Sequence, residues 1–352
     1  MAKVTIHDIS RESGVSIATV SRVINRRDNV SPDVRHRVLS IINKLGYKMP
    51  DDTSRKKNKS RTIAVIIPTL ANPFYNNVIS GIHDVAVQNK YSIILEESKS
   101  DGYLTNYIPG FINNNIKVAG LITLDQLSRQ SKLLEAISPG FPLIQCCEYN
   151  EELQYPYVSI DDYESAFNAV SYLSLIGKKR IAFFNSSTRY QYGKNRERGY
   201  IDALEKHGLT VDKNLIYHLN ILNANVAYSA ALNLFSLEDR PDAIFAVSDI
   251  YAIGAVRAAK MLNLNMPKDV AIIGFDNIEA STIIDPPLST VNQPQCEIGC
   301  SACSTLLGNI RENPPLSKGL KLKCELVVRN TTGDFYCKKG KRQSISCVVS
   351  LN

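Results

Sequence analysis

Residues 4–47, VTIHDISRESGVSIATVSRVINRRDNVSPDVRHRVLSIINKLGY, hold three short amphipathic segments separated by two turns. Thr5 is placed to cap a first helix over residues 6–13, on which Ile6 and Ile9 share a face. Gly14 suits the left-handed turn that ends it. Ser16 is a good N-cap for a second helix running to about Asn25, with Val20, Val23 and Ile24 inward and Val15 sealing the turn. Ile17, Ala18, Ser21, Arg22 and Asn25 are left on its outer face. In the third segment Ser31 caps, Pro32 takes the tolerated first position, Val34, Val38, Ile41, Ile42 and Leu45 form one stripe, and Gly46 ends the helix. Two short helices across a tight turn, buttressed by a third, make a helix-turn-helix.

The charge distribution agrees. Residues 1–61 carry 14 Lys and Arg against 6 Asp and Glu, a net +8, whereas the remaining 291 carry 27 against 28. A basic small head on a nearly neutral body is the charge signature of nucleic-acid binding. At 352 residues and 44% hydrophobic content the chain is long enough for two or three domains with sizeable cores. No apolar run is long enough to span a membrane. The N-terminus MAKVTIHDIS lacks the basic-then-apolar stretch of a secretory signal, so the protein is expected in the cytoplasm.

From Arg61 onward short β-branched runs alternate with amphipathic helices, the pattern of parallel sheets with crossovers. Strands are predicted at Ile63–Ile67, Ser92–Glu96, Gly120–Leu124, Leu143–Cys147, Arg180–Asn185, Ala243–Val247 and Val270–Phe275. The alternation occurs once over about 61–160 and again over about 161–292, which predicts two similar lobes with a ligand between them, outside the carboxyl ends of the strands. The fold class is therefore α/β: a three-helix head and a two-lobed, doubly wound sensor. The domains are a helix-turn-helix unit at 1–47, a flexible linker at 48–60, a two-lobed ligand-binding and dimerisation domain at 61–335, and a basic tail at 336–352 read as disordered.

The run GVSxxTVSRVIN at 14–25, and the head along its whole length, resembles the DNA-binding head of LacI/GalR-family repressors. The body resembles the type-I periplasmic-binding-protein fold of the same family, through TIAVIIPTLANPFYNNVISGI at 62–82, VSDIYAIGAV at 247–256, VAIIGFDNI at 270–278 and DPPLSTVNQP at 285–294. The likeness implies a homodimer that binds double-stranded operator DNA, with Ile17, Ala18 and Arg22 facing base edges. Arginine takes guanine O6 and N7 together, whereas Ile17 and Ala18 offer apolar contacts such as to a thymine methyl. Thr5, Ser16, Thr19, Ser21, Asn25 and Ser31 suit phosphates, which fix register without reading sequence. It also implies that the chain crosses between lobes near 161, 292 and 325.

Two departures stand out. Ser10 and Ser13 occupy positions where the family usually carries Ala, and serine's ability to bond back to its own helix predicts a slightly looser head. The linker YKMPDDTSRKKNKS at 47–60 has no Leu or Ile between Gly46 and Ile63. The minor-groove wedge that the family usually carries there is therefore missing. The runs YVSIDDYESAFNAVSYL, DPPLSTVNQPQCEIG and CELVVR resemble the nucleoside-responsive members of the family in detail. That implies a nucleoside effector and cooperation with the cyclic-AMP receptor protein on the same DNA.

A nucleoside needs a flat apolar face for its base and fixed donors and acceptors for its ribose. Asn72, Phe74 and Tyr75 follow the first strand, with Phe74 the stacking candidate and Asn72 a hydroxyl partner. Family position brings in Arg196, whose planar fork suits such a ligand. Asp249 and Asp276 end two strands of the second lobe and Asp161 stands near the first crossing; all three are candidate hydroxyl acceptors. Tyr190 and Tyr192 are placed to close over a base. The same groups serve a pentose equally well, so a sugar sensor is the competing expectation.

Enzyme classes find no support. There is no Gly-rich phosphate loop or nucleophile elbow, and the five histidines at 7, 36, 83, 207 and 218 form no constellation. Neither a cofactor nor a metal is expected. Of the eight cysteines, Cys296, Cys300 and Cys303 have the spacing of one helix face, and read as reduced structural side chains.

Overall fold

The computed structural model describes residues 4–24, 30–45, 47, 60–98, 118–126, 137, 140–311, 319–333 and 347–349. Its internal contacts divide the chain into two units, Met1–Ser60 and Arg61–Asn352. Linker residues 48–59, together with Asn25, Gly46 and the tail residues 334–346 and 350–352, lie outside the described residues.

The first unit is three helices, α1 (Ile6–Ser13), α2 (Ile17–Ile24) and α3 (Pro32–Leu45). Thr5 and Asp8 form a reciprocal capping box at the start of α1, satisfying two backbone donors that no helical turn can reach. Gly14, at φ 67°, closes the helix in the left-handed region. Ile9, Val20, Val23, Val38 and Ile42 are buried together, one or two from each helix, with Ile6, Val15, Val34, Ile41 and Leu45 packed around them. Of the two unusual serines, one bonds back along its helix as expected and the other ties the turn. Ser13 Oγ donates to the Ile9 carbonyl at 2.6 Å, back along its own helix, but Ser10 Oγ donates forward to the Val15 carbonyl at 2.6 Å.

The second unit runs β1 (Thr62–Ile67), α4 (Phe74–Gln88), β2 (Ser92–Glu97), β3 (Gly120–Thr123), β4 (Leu143–Cys146) and β5 (Tyr157–Ile160). It continues α5 (Asp162–Leu175), β6 (Ile181–Asn185), α6 (Gln191–Lys206), β7 (Ile216–His218), α7 (Ala224–Phe235), β8 (Ala243–Ala246) and α8 (Asp249–Met261). Then come β9 (Ala271–Asp276), α9 (Ala280–Ile283), β10 (Ser289–Asn292), α10 (Gln295–Arg311), β11 (Gly319–Leu322), β12 (Glu325–Val328) and β13 (Cys347–Val349).

Two sheets result, ordered β11-β5-β4-β3-β1-β2 and β13-β12-β10-β9-β8-β6-β7. The first is parallel throughout; in the second β12 alone runs antiparallel, to β10 on one side and β13 on the other. Within each sheet the first five strands to enter have the same spatial order, second-first-third-fourth-fifth, so the lobes are two copies of one plan. That order reverses between β1 and β3, and again between β6 and β8, which makes the carboxyl ends of the strands the place for a ligand. Strand β1 buries Ile63, Val65 and Ile67 on one face and Ile66 on the other, as a parallel strand covered on both sides must.

The chain passes between lobes after β5, between β10 and α10, and between β11 and β12. Helix α10 returns to pack on α4 so closely that a Cβ added at Gly81 would strike the Cys296 carbonyl, and one at Gly299 the Val78 carbonyl. Cys296, Cys300 and Cys303 all lie on α10, exposed, half-buried and buried in turn. In the tail read as disordered, Cys347–Val349 instead pairs with β12. Among the described residues no helix is long and apolar enough to cross a membrane, and no group of three His, Cys, Asp or Glu side chains is placed to hold a metal.

Candidate functional site

A cleft of about 560 Å³, counted out to the solvent at its mouth, lies among the carboxyl ends of the strands of both lobes. Lobe one contributes Asn72, Phe74 and Tyr75 after β1, and Cys147 and Glu148 after β4. Lobe two contributes Ser186 after β6, Tyr192 and Arg196 on α6, Val247 and Ser248 after β8, and Asp276 at the end of β9. Asp162 and Gln293 enter at two of the crossings.

Arg196 is the centre of the polar wall. It is buried, and its Nε and Nη2 both meet one oxygen of Asp162, at 2.8 and 2.7 Å, while Nη1 donates to the Val247 carbonyl at 2.7 Å. Its guanidinium carbon lies 3.5 Å from the centroid of Phe275 and 5.0 Å from that of Tyr192. Burial works against the charge, but the Asp162 and Asp276 carboxylates outweigh it and raise the Arg196 pKa. Burial likewise raises Asp162, with Arg196 opposing.

Asp276 ends β9 at φ 110°, a conformation that non-glycine residues rarely hold unless the surroundings impose it. They do so here. Ser248 Oγ and Gln293 Nε2 donate to its two carboxylate oxygens at 3.0 and 2.8 Å, and Gln295 Nε2 donates to its backbone carbonyl. Burial pushes the Asp276 carboxyl up to about 7. Asn72 Oδ1 accepts from the Phe74 backbone N–H at 3.1 Å, so its amide N–H groups remain to offer. Phe74 and Tyr75 meet edge to face, 5.2 Å between centroids, and Tyr190 stacks on Tyr192 at 5.4 Å.

Five of the seven expected effector residues, Asn72, Phe74, Tyr75, Arg196 and Asp276, therefore come together, and Tyr192 joins them with Tyr190 behind it. The other two stand elsewhere. Asp161 is the N-cap of α5, accepting from the Glu164 N–H at 2.9 Å, and its neighbour Asp162 is the acid turned into the cleft. Asp249 is fully buried behind it, accepting from Ile278 N–H at 2.8 Å and Thr290 Oγ1 at 2.6 Å, so it braces the turn that presents Asp276. Glu148, Asp162, Ser248 and Gln293 were not expected. Asp162, Ser248 and Gln293 had a local signal in their places in the runs YVSIDDYESAFNAVSYL, VSDIYAIGAV and DPPLSTVNQP, and Glu148 had none.

On the head, Ile17 and Arg22 are exposed on α2, Ile17 by 43%. Ala18 is a residue of the same helix. Ser16 Oγ accepts the Thr19 N–H at 3.2 Å and meets Thr19 Oγ1 at 2.9 Å, which starts α2. Ser21 and Thr19 are half-buried; Thr5 and Ser31 are exposed at the starts of α1 and α3.

A helix-turn-helix unit joined in one chain to a two-lobed cleft defines a DNA-binding regulator. Residues 5–50 match the model of the bacterial regulatory proteins of the lacI family, and residues 170–332 that of a periplasmic binding protein-like domain. The chain is 32% identical over 335 residues to the HTH-type transcriptional repressor CytR of Escherichia coli (strain K12), covering 93% of this chain and 96% of that one. It is 33% identical over 341 residues to catabolite control protein A of Priestia megaterium, covering 94% and 99%. The solved complex of the transcriptional regulator CelR with cellobiose superposes with a TM-score of 0.70 at 27% identity, covering 93% of this chain and 99% of that one. The chain belongs to the LacI family of DNA-binding transcriptional repressors.

Proposed function

We propose that this repressor is relieved by a nucleoside such as cytidine, acting by binding and not by catalysis. The observation that carries the reading is the facing of aromatic side chains from both lobes, Phe74 and Tyr75 against Tyr192, beside the polar set of Asn72, Arg196 and Asp276. A nucleoside brings a flat base for the rings and ribose hydroxyls for the polar set; a free pentose brings only hydroxyls. Three buried carboxyl groups, Glu148, Asp162 and Asp276, stand around the single guanidinium of Arg196. That balance repels a phosphate, which favours a nucleoside over a nucleotide.

In this reading a dimer sets two heads in successive major grooves. Arg22 reads a guanine, Ile17 and Ala18 make apolar contacts, and Thr5, Ser16, Thr19, Ser21, Asn25 and Ser31 hold phosphates. A second protein on the same DNA, of the cyclic-AMP receptor type, offsets the affinity that a linker without a minor-groove wedge forgoes. The test is the melting temperature of the full chain with cytidine, cytidine monophosphate and ribose in turn. Cytidine at a hundredfold excess over its dissociation constant should add about 2.7 kcal/mol. The nucleotide should add nothing, and Phe74→Ala and Asp276→Ala should each abolish most of the gain. Stabilisation by ribose with none by any nucleoside would overturn the reading in favour of a sugar sensor.

A further inference from the structure

Glu148 belongs to lobe one, in the loop after β4, yet both of its carboxylate oxygens are spent on lobe two. Oε2 accepts the Gln191 N–H and Oε1 the Tyr192 N–H, each at 3.0 Å. These are the first two backbone donors of α6, a helix of 16 residues whose own N-cap, Tyr190, makes no side-chain capping bond. A helix leaves its first N–H groups without internal partners, and here a carboxylate from across the cleft supplies what the local sequence does not. Glu148 is only 4% exposed, so the bonds are shielded from competing water.

The capped turn is also the one that carries the cleft's lobe-two wall. Tyr192 is itself a bonded residue, and Arg196 lies one turn further along, beneath the Tyr192 ring. A second, weaker tie lies alongside, where Gln126 Nε2 of lobe one donates to the Arg189 carbonyl of lobe two at 3.0 Å. The charged and titratable groups around Glu148 are Asp162 on α5, Tyr192 and Arg196 on α6, Tyr75 on α4 and Cys147 in its own loop. Arg196 is the cation among them, and it is already engaged by Asp162. Glu148 is therefore held by backbone N–H groups and not by an ion pair of its own.

We propose that Glu148 is the positioning residue that clamps lobe two to lobe one, fixing the first turn of α6 so that Tyr192 and Arg196 meet the ligand in one geometry. The clamp rests on the cleft being the effector site only for its effect on affinity; the contact itself is independent of what binds. A ligand that enters the cleft meets a lobe-two wall already anchored from the opposite side. Without the carboxylate the wall follows lobe two alone, and the two lobes lose a direct tie at the cleft.

The test separates the two layers. Amide exchange of the full chain, without ligand, is followed at Gln191 and Tyr192 in wild type, Glu148→Ala and Glu148→Gln. Exchange at those two amides should quicken by roughly tenfold in Glu148→Ala, the effect of leaving two shielded N–H groups without their acceptor. It should quicken less in Glu148→Gln, which keeps one carbonyl oxygen. Amides deep in lobe two, such as those of Phe183 and Phe245, should be unchanged. Calorimetric titration with cytidine should then show weaker binding in the same order, the glutamine variant recovering part of the loss. If the Gln191 and Tyr192 amides exchange at wild-type rates in both variants, the clamp is wrong, whatever the ligand. If those amides quicken but no nucleoside or sugar binds the wild type, the clamp stands and the effector reading falls.

Discussion

The guanidinium of Arg196 lies over Phe275, its central carbon 3.5 Å from the ring centroid, with Asp162 holding its edge. A planar cation packed on a ring and forked onto a carboxylate is a task that lysine cannot take over. Three of the five N–H groups go to Asp162 and Val247, which leaves two for a ligand. Arg196→Lys is expected to keep the fold but weaken cytidine binding by about tenfold or more, the worth of a charge-assisted hydrogen bond. Arg196→Ala should also destabilise the body by about 3–5 kcal/mol, because it strands the buried Asp162 charge. Calorimetry and denaturant unfolding check the two halves, and Arg196→Lys binding at wild-type affinity would remove Arg196 from the site.

Glu148 and Asp276 both titrate near 7 in the folded protein, pushed up by burial from ordinary values near 4. The folded state thus binds protons that the unfolded chain has already released. The stabilisation this gives is fully present below about pH 4 and is lost as pH rises through about 7. Wild type should therefore lose stability between pH 5 and 8 relative to Glu148→Gln and to Asp276→Asn, neither of which titrates. Melting temperatures of the three proteins at fixed ionic strength decide it. Parallel curves across that range would mean that neither carboxyl carries a raised pKa.

The helix ends of the head were legible because each has its own chemical mark: Thr5 and Ser16 as caps, Gly14 at the left-handed turn, Pro32 at the first position of α3. Seven body strands were legible as apolar runs. Strands β5, β7, β10, β11, β12 and β13 were not, because they are three or four residues long, most of them mix apolar with polar side chains, and what makes each a strand is its pairing with another segment. The cleft shows the same division. Phe74 and Asp276 announce themselves by following strands, whereas Asp161 and Asp162 differ only in which one caps and which one turns inward. Glu148 could not be read at all. Its partners stand 43 and 44 residues later, across the cleft, and no local pattern records that distance.

Arg22 is exposed on α2, beyond the turn tied by Ser10 and Val15, and is free to approach a base edge. Arg22→Ala is expected to cost about 1–3 kcal/mol of operator affinity and to relax selectivity at one base pair in each half-site. Titration of cognate and scrambled DNA at a single salt concentration separates this from a phosphate contact. Equal weakening on both sequences would assign Arg22 to the backbone instead.

The last prediction concerns the linker. Between Gly46 and Ile63 no Leu or Ile occurs, while Asp51, Asp52 and the basic residues from Arg55 to Arg61 make the stretch charged. With no Leu or Ile to pry apart a base step, a dimer is expected to gain little from kinking the operator. Fourteen residues, 47–60, would span about 20 Å root-mean-square in each subunit if they were flexible coil. Two heads on such tethers should accept half-sites at several spacings, at the cost of the tether's freedom and hence of affinity. A gel-shift series in which the half-sites are moved apart one base pair at a time should therefore give a shallow dependence on spacing, and circular-permutation mobility should show little bending. A single sharp optimum, or a strong bend produced by the protein alone, would mean that the linker is rigid on DNA and that some other side chain does the wedging.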